Sequence, residues 1–215
     1  MNKSFLVTRP EHDDTTHYLS HWAQIPIDLA KRKGIQVIDC RREKANADNV
    51  SSILSKREPS LVFLNGHGGD ASVTGHKMEE LVIKGKNEQL LNGKIVYALS
   101  CNSAKELGPA SIKSGTKTYI GYDDEFIFVY NPLKITTPLK DETAALFLEP
   151  STEVIISLLK ENSCYKAKEN SRHMFIDRIN KLLTSETTKE DTSMVRYLWW
   201  DMTHQVLHGD GEAVF

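Results

Sequence analysis

Leu61–Asp70 reads LVFLNGHGGD and Lys94–Ala104 reads KIVYALSCNSA, and these two stretches decide the fold. Each holds a compact apolar run, Leu61–Asn65 in the first and Ile95–Leu99 in the second, and closes on glycine or small polar residues. That is the pattern of a strand buried on both faces, as in a parallel sheet. Working outward, similar runs stand at Phe5–Thr8, Ile35–Asp39 and Thr118–Tyr122. Helical stretches separate them. Asp14–Lys33 places Tyr18, Trp22, Ile25 and Leu29 three or four residues apart, with Pro26 expected to kink or shorten it and Gly34 to stop it. Ala45–Lys56 repeats the pattern with Val50, Ile53 and Leu54.

Strand and helix in alternation predict a parallel sheet with right-handed crossovers and helices on both faces. Such sheets place their chemistry beyond the carboxyl ends of the strands. After Tyr122 come an acidic cluster, Asp123-Asp124-Glu125, the apolar run Phe126–Tyr130, and a stretch with Pro132 and Pro138. Glu142–His208 reads as mostly helical, in pieces separated near Ser163 and near Thr184–Asp191. Gly209–Gly211 is expected to turn and Glu212–Phe215 to form a last edge strand. The whole reads as one domain over residues 1–215, with an α/β core over 1–130 and a helical part over 140–208. Periodicity does not say whether that helical part packs on the sheet or beside it.

The chain has 215 residues, 40% of them hydrophobic and 26% charged, the balance of an ordinary globular protein. Lys and Arg number 27 against 29 Asp and Glu, so no basic field invites direct nucleic-acid binding. No apolar stretch approaches the roughly 20 residues that span a bilayer, and the N-terminus lacks the pattern of a signal peptide. Cys40, Cys101 and Cys164 are too few, and odd in number, for a disulfide framework. A cytoplasmic protein is expected.

The chemistry gathers at the ends of the two deciding strands. His67, between Gly66 and Gly68, sits on a backbone free to turn sharply and approach a ligand. Cys101 ends the other run, and a helix opening at Asn102 would lend it thiolate character. Taken singly, His67 fits an ordinary loop residue and Cys101 a buried structural cysteine. Taken together, they end adjacent strands about 5 Å apart and can meet at one rim.

The two blocks resemble the caspase-like cysteine peptidases, a clan that includes caspases, metacaspases, gingipains, separase and the bacterial CHAT peptidases. LNGHGGD, YALSCNSA and the closing HGDGEAVF are most similar to the CHAT group. The resemblance implies a three-layer α/β/α fold with a mostly parallel sheet of five or six strands and extra C-terminal helices. It implies Cys101 as nucleophile, His67 as general base and acid, and the backbone N–H groups of Gly68 and Cys101 as an oxyanion hole. No third catalytic member is assigned. Leu99-Ser100-Cys101-Asn102-Ser103 departs from the Gln-Ala-Cys block of caspases, so specificity for aspartate is not carried over.

Asp123, Asp124 and Glu125 follow the fifth strand and Asp39 ends the second, so a carboxylate from this set could receive Arg or Lys of a substrate, although acidic runs more often face water. The expected partner is a protein substrate, with an activating partner or ligand as a further expectation and bacterial defence or programmed cell death as the setting. A catalytically idle binding or scaffolding module with the same fold and a small-molecule hydrolase or transferase using the same cysteine are the alternatives.

His17 with His21 and His204 with His208 have the spacing of ligands on one helix face, but each pair lacks a third ligand. No metal site and no cofactor is expected. Of the adjacent Trp199 and Trp200, one is expected in the core. Neither GxSxG, GxGxxG nor GxxxxGK[ST] occurs, which removes the usual serine hydrolase and nucleotide sites of such a sheet.

Overall fold

The structure is a computed structural model that describes residues 3–184 and 192–215. Its elements in chain order begin with β1 (Ser4–Arg9), α1 (Asp14–Trp22), α2 (Gln24–Arg32), β2 (Gln36–Arg41), α3 (Ala47–Lys56) and β3 (Leu61–Asn65). Three short strands follow, β4 (Gly68–Gly69), β5 (Ser72–Thr74) and β6 (Glu80–Ile83), and then β7 (Ile95–Leu99), α4 (Leu107–Lys113) and β8 (Thr118–Tyr122). The chain continues through α5 (Glu142–Leu159), α6 (Cys164–Leu182), α7 (Val195–His204) and β9 (Gln205–Gly209).

The central sheet has six strands in the order β2-β1-β3-β7-β8-β9. The first five are parallel and β9 pairs antiparallel with β8. Alternate strand residues feed two cores. Phe5, Val7, Phe63, Tyr97 and Ile120 pack on one face with Tyr18, Trp22 and Ile27 of α1–α2 and with Leu148, Ile155 and Leu158 of α5. Leu6, Val62, Leu64, Val96 and Tyr119 pack on the other face with Val50 and Leu54 of α3, Val73 and Val82 of the small sheet, and Leu107 of α4. Each fully buried side chain of this kind contributes about 1.5–3 kcal/mol. The layered α/β architecture expected from the sequence is therefore present, and α5 belongs to the core of the sheet. A third cluster, Phe147, Phe175, Ile179, Leu198 and Met202, joins α5, α6 and α7 behind it.

The first helical stretch is interrupted as expected, with the break at Ala23 and Pro26 in the first turn of α2. A continuous helix would need a Pro26 N–H to bond the carbonyl of Trp22, and proline has none and clashes there. Gly34 does stop α2, at φ +72°. Several local expectations need correction. The helix expected from Asn102 begins only at Leu107, after a turn over residues 101–106. The last helix ends at His204, and Gln205–Gly209 is a strand. The terminal strand expected at Glu212–Phe215 is a single bridge, Val214 to Ser163. The helical break expected near Thr184–Asp191 lies for the most part outside the described residues.

Candidate active site

β3 and β7 are adjacent and parallel, with Asn65 opposite Leu99, and the same offset relates His67 to Cys101. Both residues leave their strands at one level of the carboxyl rim. The register continues briefly past the strands, since the Gly66 N–H donates to Leu99 O at 3.4 Å. Gly68 then lies hard against the cysteine: a Cβ there would stand 2.6 Å from Cys101 O and 3.0 Å from Ser100 Cβ. Only glycine fits so close to another backbone.

The antiparallel pairing of β4 with β5 aims the Gly68 amide. The Thr74 N–H donates to His67 O at 2.9 Å, which makes that pair the hydrogen-bonded one. The next pair, Gly68 with Val73, then has its amides turned away from the ladder. Among the described residues no backbone carbonyl accepts the Cys101 N–H either. The Gly68 amide, free of the ladder, and the Cys101 amide, which takes part in no backbone–backbone hydrogen bond, are the kind of donors an oxyanion hole requires.

The His67 ring is held by a residue that the sequence reading did not single out. Asp13 caps α1, its Oδ1 accepting the Thr16 N–H at 2.8 Å, and its Oδ2 pairs with His67 Nε2 at 2.7 Å. Burial alone would raise the Asp13 carboxyl, but the Thr16 amide and the His67 ring outweigh it and hold the group below the usual carboxylate range. An ionised carboxylate at Nε2 fixes the proton there and leaves the Nδ1 lone pair as the basic site. The two partners lie 54 residues apart, and no local pattern in the sequence joins them. Asp13→Asn retains a good cap acceptor. We expect it to leave the melting midpoint nearly unchanged while lowering any His67-dependent turnover by about 100-fold or more, by analogy with the loss of the orienting acid from a catalytic triad. Steady-state kinetics and a thermal melt on the same sample check this.

The thiol is half-sheltered, and its Sγ contacts Phe126 O at 3.7 Å. Burial pushes it above its ordinary value, with the Glu125 carboxylate acting in the same direction. The turn over residues 101–106 does not give the helix N-terminus that was expected to favour thiolate. No hydrogen bond joins Sγ to His67 among the described residues. Asn102 adopts φ +58°, a left-handed conformation that asparagine tolerates, and so turns the chain away directly after the cysteine. Cys40 and Cys164 are buried and pushed up to about 11, consistent with structural thiols.

The acidic segment after β8 lies against this turn. The Asn102 N–H donates to Asp124 O at 2.9 Å. Asp123 is occupied by His204, its Oδ1 lying 2.8 Å from Nδ1, whereas Glu125 is exposed. Asp39 is not brought to the thiol: it sits on the edge strand β2, three strands from β7, and binds Arg9 through both oxygens at 2.8 and 3.0 Å. The sequence reading also passed over Asp201. It is fully buried on α7, accepts the Ile127 N–H at 2.9 Å and so pins the segment that crosses Cys101; burial holds its carboxyl well above the usual range.

The histidine pairs are resolved differently. His204 ends α7 and His208 lies on β9, so they share no helix face, and His208 Nε2 is 2.9 Å from Ala104 O. His17 and His21 do gain a third neighbour, Glu11, with one ligand atom of each within 4.8 Å of the others. Glu11 is held by two arginines, and each imidazole has one nitrogen, His17 Nε2 and His21 Nδ1, on a backbone carbonyl. Burial would raise Glu11, but Arg42 and Arg41 hold it down at about 2. Neither tryptophan is in the core: Trp199 is 58% and Trp200 37% exposed, and the Trp200 indole donates to Glu125 O at 3.0 Å.

No helix of the described residues is long and apolar enough to cross a membrane. The sequence matches no family model and no curated protein at a significant level. Solved structures do match over the whole chain. One is the complex of the pro- and mature domains of Porphyromonas gingivalis RgpB, at TM-score 0.59 and 12% identity, covering 100% of this chain and 48% of that one. Another is the Arg-specific cysteine proteinase gingipain R (RgpB), at TM-score 0.64 and 12% identity, covering 100% and 47%. The chain spans about half the length of these gingipain chains. What is shared at this level of identity is the fold, a caspase-like α/β arrangement around a mostly parallel six-stranded sheet.

Proposed function

We propose that the protein is a cysteine endopeptidase in which Cys101 attacks the scissile carbonyl and His67 moves the protons. The observation that supports this reading most is the packing of Gly68 on the Cys101 backbone, with His67 and Cys101 leaving adjacent parallel strands at one rim. In the reaction, His67 Nδ1 accepts the thiol proton as sulfur bonds to the carbonyl carbon, and the amides of Gly68 and Cys101 receive the oxyanion. His67 then returns the proton to the leaving amine, and a water molecule activated by the same ring hydrolyses the acyl-enzyme. The raised thiol value fits a nucleophile deprotonated during the reaction rather than a standing thiolate.

For the substrate we propose a protein cut after Arg or Lys. Glu125 is the exposed carboxylate whose charge acts on the Cys101 thiol, and one of the solved structures of this fold is described as an Arg-specific proteinase. A library of fluorogenic peptides tests this. Turnover with Arg or Lys before the cut supports it; cleavage after Leu or Asp, or no cleavage at all, counts against it. Glu125→Gln is expected to raise KM for such peptides by about tenfold, the effect of one lost charge-assisted hydrogen bond, with little change in kcat.

The setting we propose, on the CHAT-like motifs alone, is bacterial defence or programmed cell death in the cytoplasm, where three free cysteines would stay reduced. A second reading is favoured by one observation. The thiol rests against Phe126 O without a hydrogen bond to His67, as it would in an idle binding module of the same fold. Peptide turnover separates the two.

A further inference from the structure

His12 stands out among the histidines because both of its ring nitrogens are buried and neither has a hydrogen-bond partner. Its side chain is only 13% exposed, and its Nε2 lies 3.4 Å from Asp13 Oδ2 without hydrogen-bond geometry. The same oxygen is the one that meets His67 Nε2 at 2.7 Å. His12, Asp13 and His67 thus each offer one ligand atom, and all three atoms lie within 4.8 Å of one another. Around a tetrahedral zinc ion with bonds of about 2.0–2.1 Å, ligand atoms stand roughly 3.3 Å apart, and the separations of 2.7 and 3.4 Å straddle that edge. Two imidazoles and one carboxylate suit zinc, whereas magnesium and calcium prefer all-oxygen shells. His12 and Asp13 also line a cleft of about 720 Å³, which gives an ion a path to them.

We propose that His12, Asp13 and His67 form a zinc-binding site that shuts off the base of the candidate dyad. The chemistry follows from the tautomer. In the metal-free state the proton sits on His67 Nε2 toward Asp13, and Nδ1 keeps its lone pair. A zinc ion on Nε2 displaces that proton. The neutral ring then carries its proton on Nδ1 and has no lone pair with which to accept the thiol proton. His76 approaches the His12 ring with centroids 5.4 Å apart, but it is engaged with Glu11 N and Glu43 and is not counted as a ligand. The binding half of the proposal stands without the peptidase reading; the inhibitory half rests on it.

Zinc binding to the full chain, measured against a competing chromophoric chelator, tests the site. One equivalent is expected in the wild type and in Cys101→Ser and His17→Ala. Affinity is expected to fall by more than about 100-fold in His12→Gln and Asp13→Asn, beyond the range that outer-shell partners cost. Glutamine keeps bulk at position 12 and asparagine keeps the cap of α1, and a thermal melt confirms that each variant folds. Unchanged affinity in both variants, or loss of binding in Cys101→Ser or His17→Ala, overturns the site. Wild-type protein that turns over peptide when metal-free and continues undiminished with zinc bound overturns the switch. A metal-free protein that cleaves no peptide while binding zinc through His12 refutes the peptidase reading, and the switch with it, and leaves the site standing.

Discussion

Replacement of Cys101 by alanine is expected to lower kcat/KM for the best peptide by at least about 10⁴-fold, and replacement of His67 by alanine to do nearly the same. On the proposed mechanism the two act on one bond-forming step. Without sulfur there is no acyl-enzyme; without the imidazole the thiol, which burial holds in its protonated form, has no acceptor for its proton. Because they function as a unit, the double variant is expected to be no slower than the worse single one, its residual rate coming from binding and the amides alone. Additive losses would mean that the two residues do not share a step.

The second large effect is expected from a methyl group. Gly68→Ala would place a carbon 2.6 Å from Cys101 O, a distance that real Cβ atoms essentially never adopt, and a tight 3.0 Å from Ser100 Cβ and Oγ. One backbone must move. On the proposed mechanism that movement takes the Gly68 amide away from the oxyanion, and loss of one such donor costs about 10²–10³ in kcat. Overpacking at the same place costs roughly 1–3 kcal/mol of stability. Gly69→Ala is the matched control, since a Cβ at that position meets nothing within 4 Å. Equal behaviour of the two variants in kinetics and thermal melts would remove Gly68 from the site.

The sequence reading found β3, β7 and β8 with their full extents because each is buried on both faces and so appears as an uninterrupted apolar run. β9 was read as helix because it continues directly from α7 and, being at the sheet edge, is only partly buried. The small sheet of β4, β5 and β6 left little trace, since its strands have two to four residues and include glycines. At the site, His67, Gly68 and Cys101 were legible because each ends or follows a deciding strand. Asp13 and His12 were not, because they reach the site from the loop after β1 and their chemistry exists only through contacts distant in sequence. The four candidate carboxylates divided on folding: Asp123 went to His204, Asp39 to Arg9 and Asp124 to the Glu125 N–H, and Glu125 stayed in solvent near the thiol. Nothing local distinguishes these carboxylates before the chain folds.

The pairing of one imidazole with one sulfur is tested most directly by labelling with an arginyl chloromethylketone, read residue by residue by mass spectrometry. The account predicts a single adduct on Cys101, formed far faster than on Cys40 or Cys164 and slowed to their rate by His67→Ala. Slow labelling of all three cysteines alike, or fast labelling of Cys101 that survives the loss of His67, would contradict it.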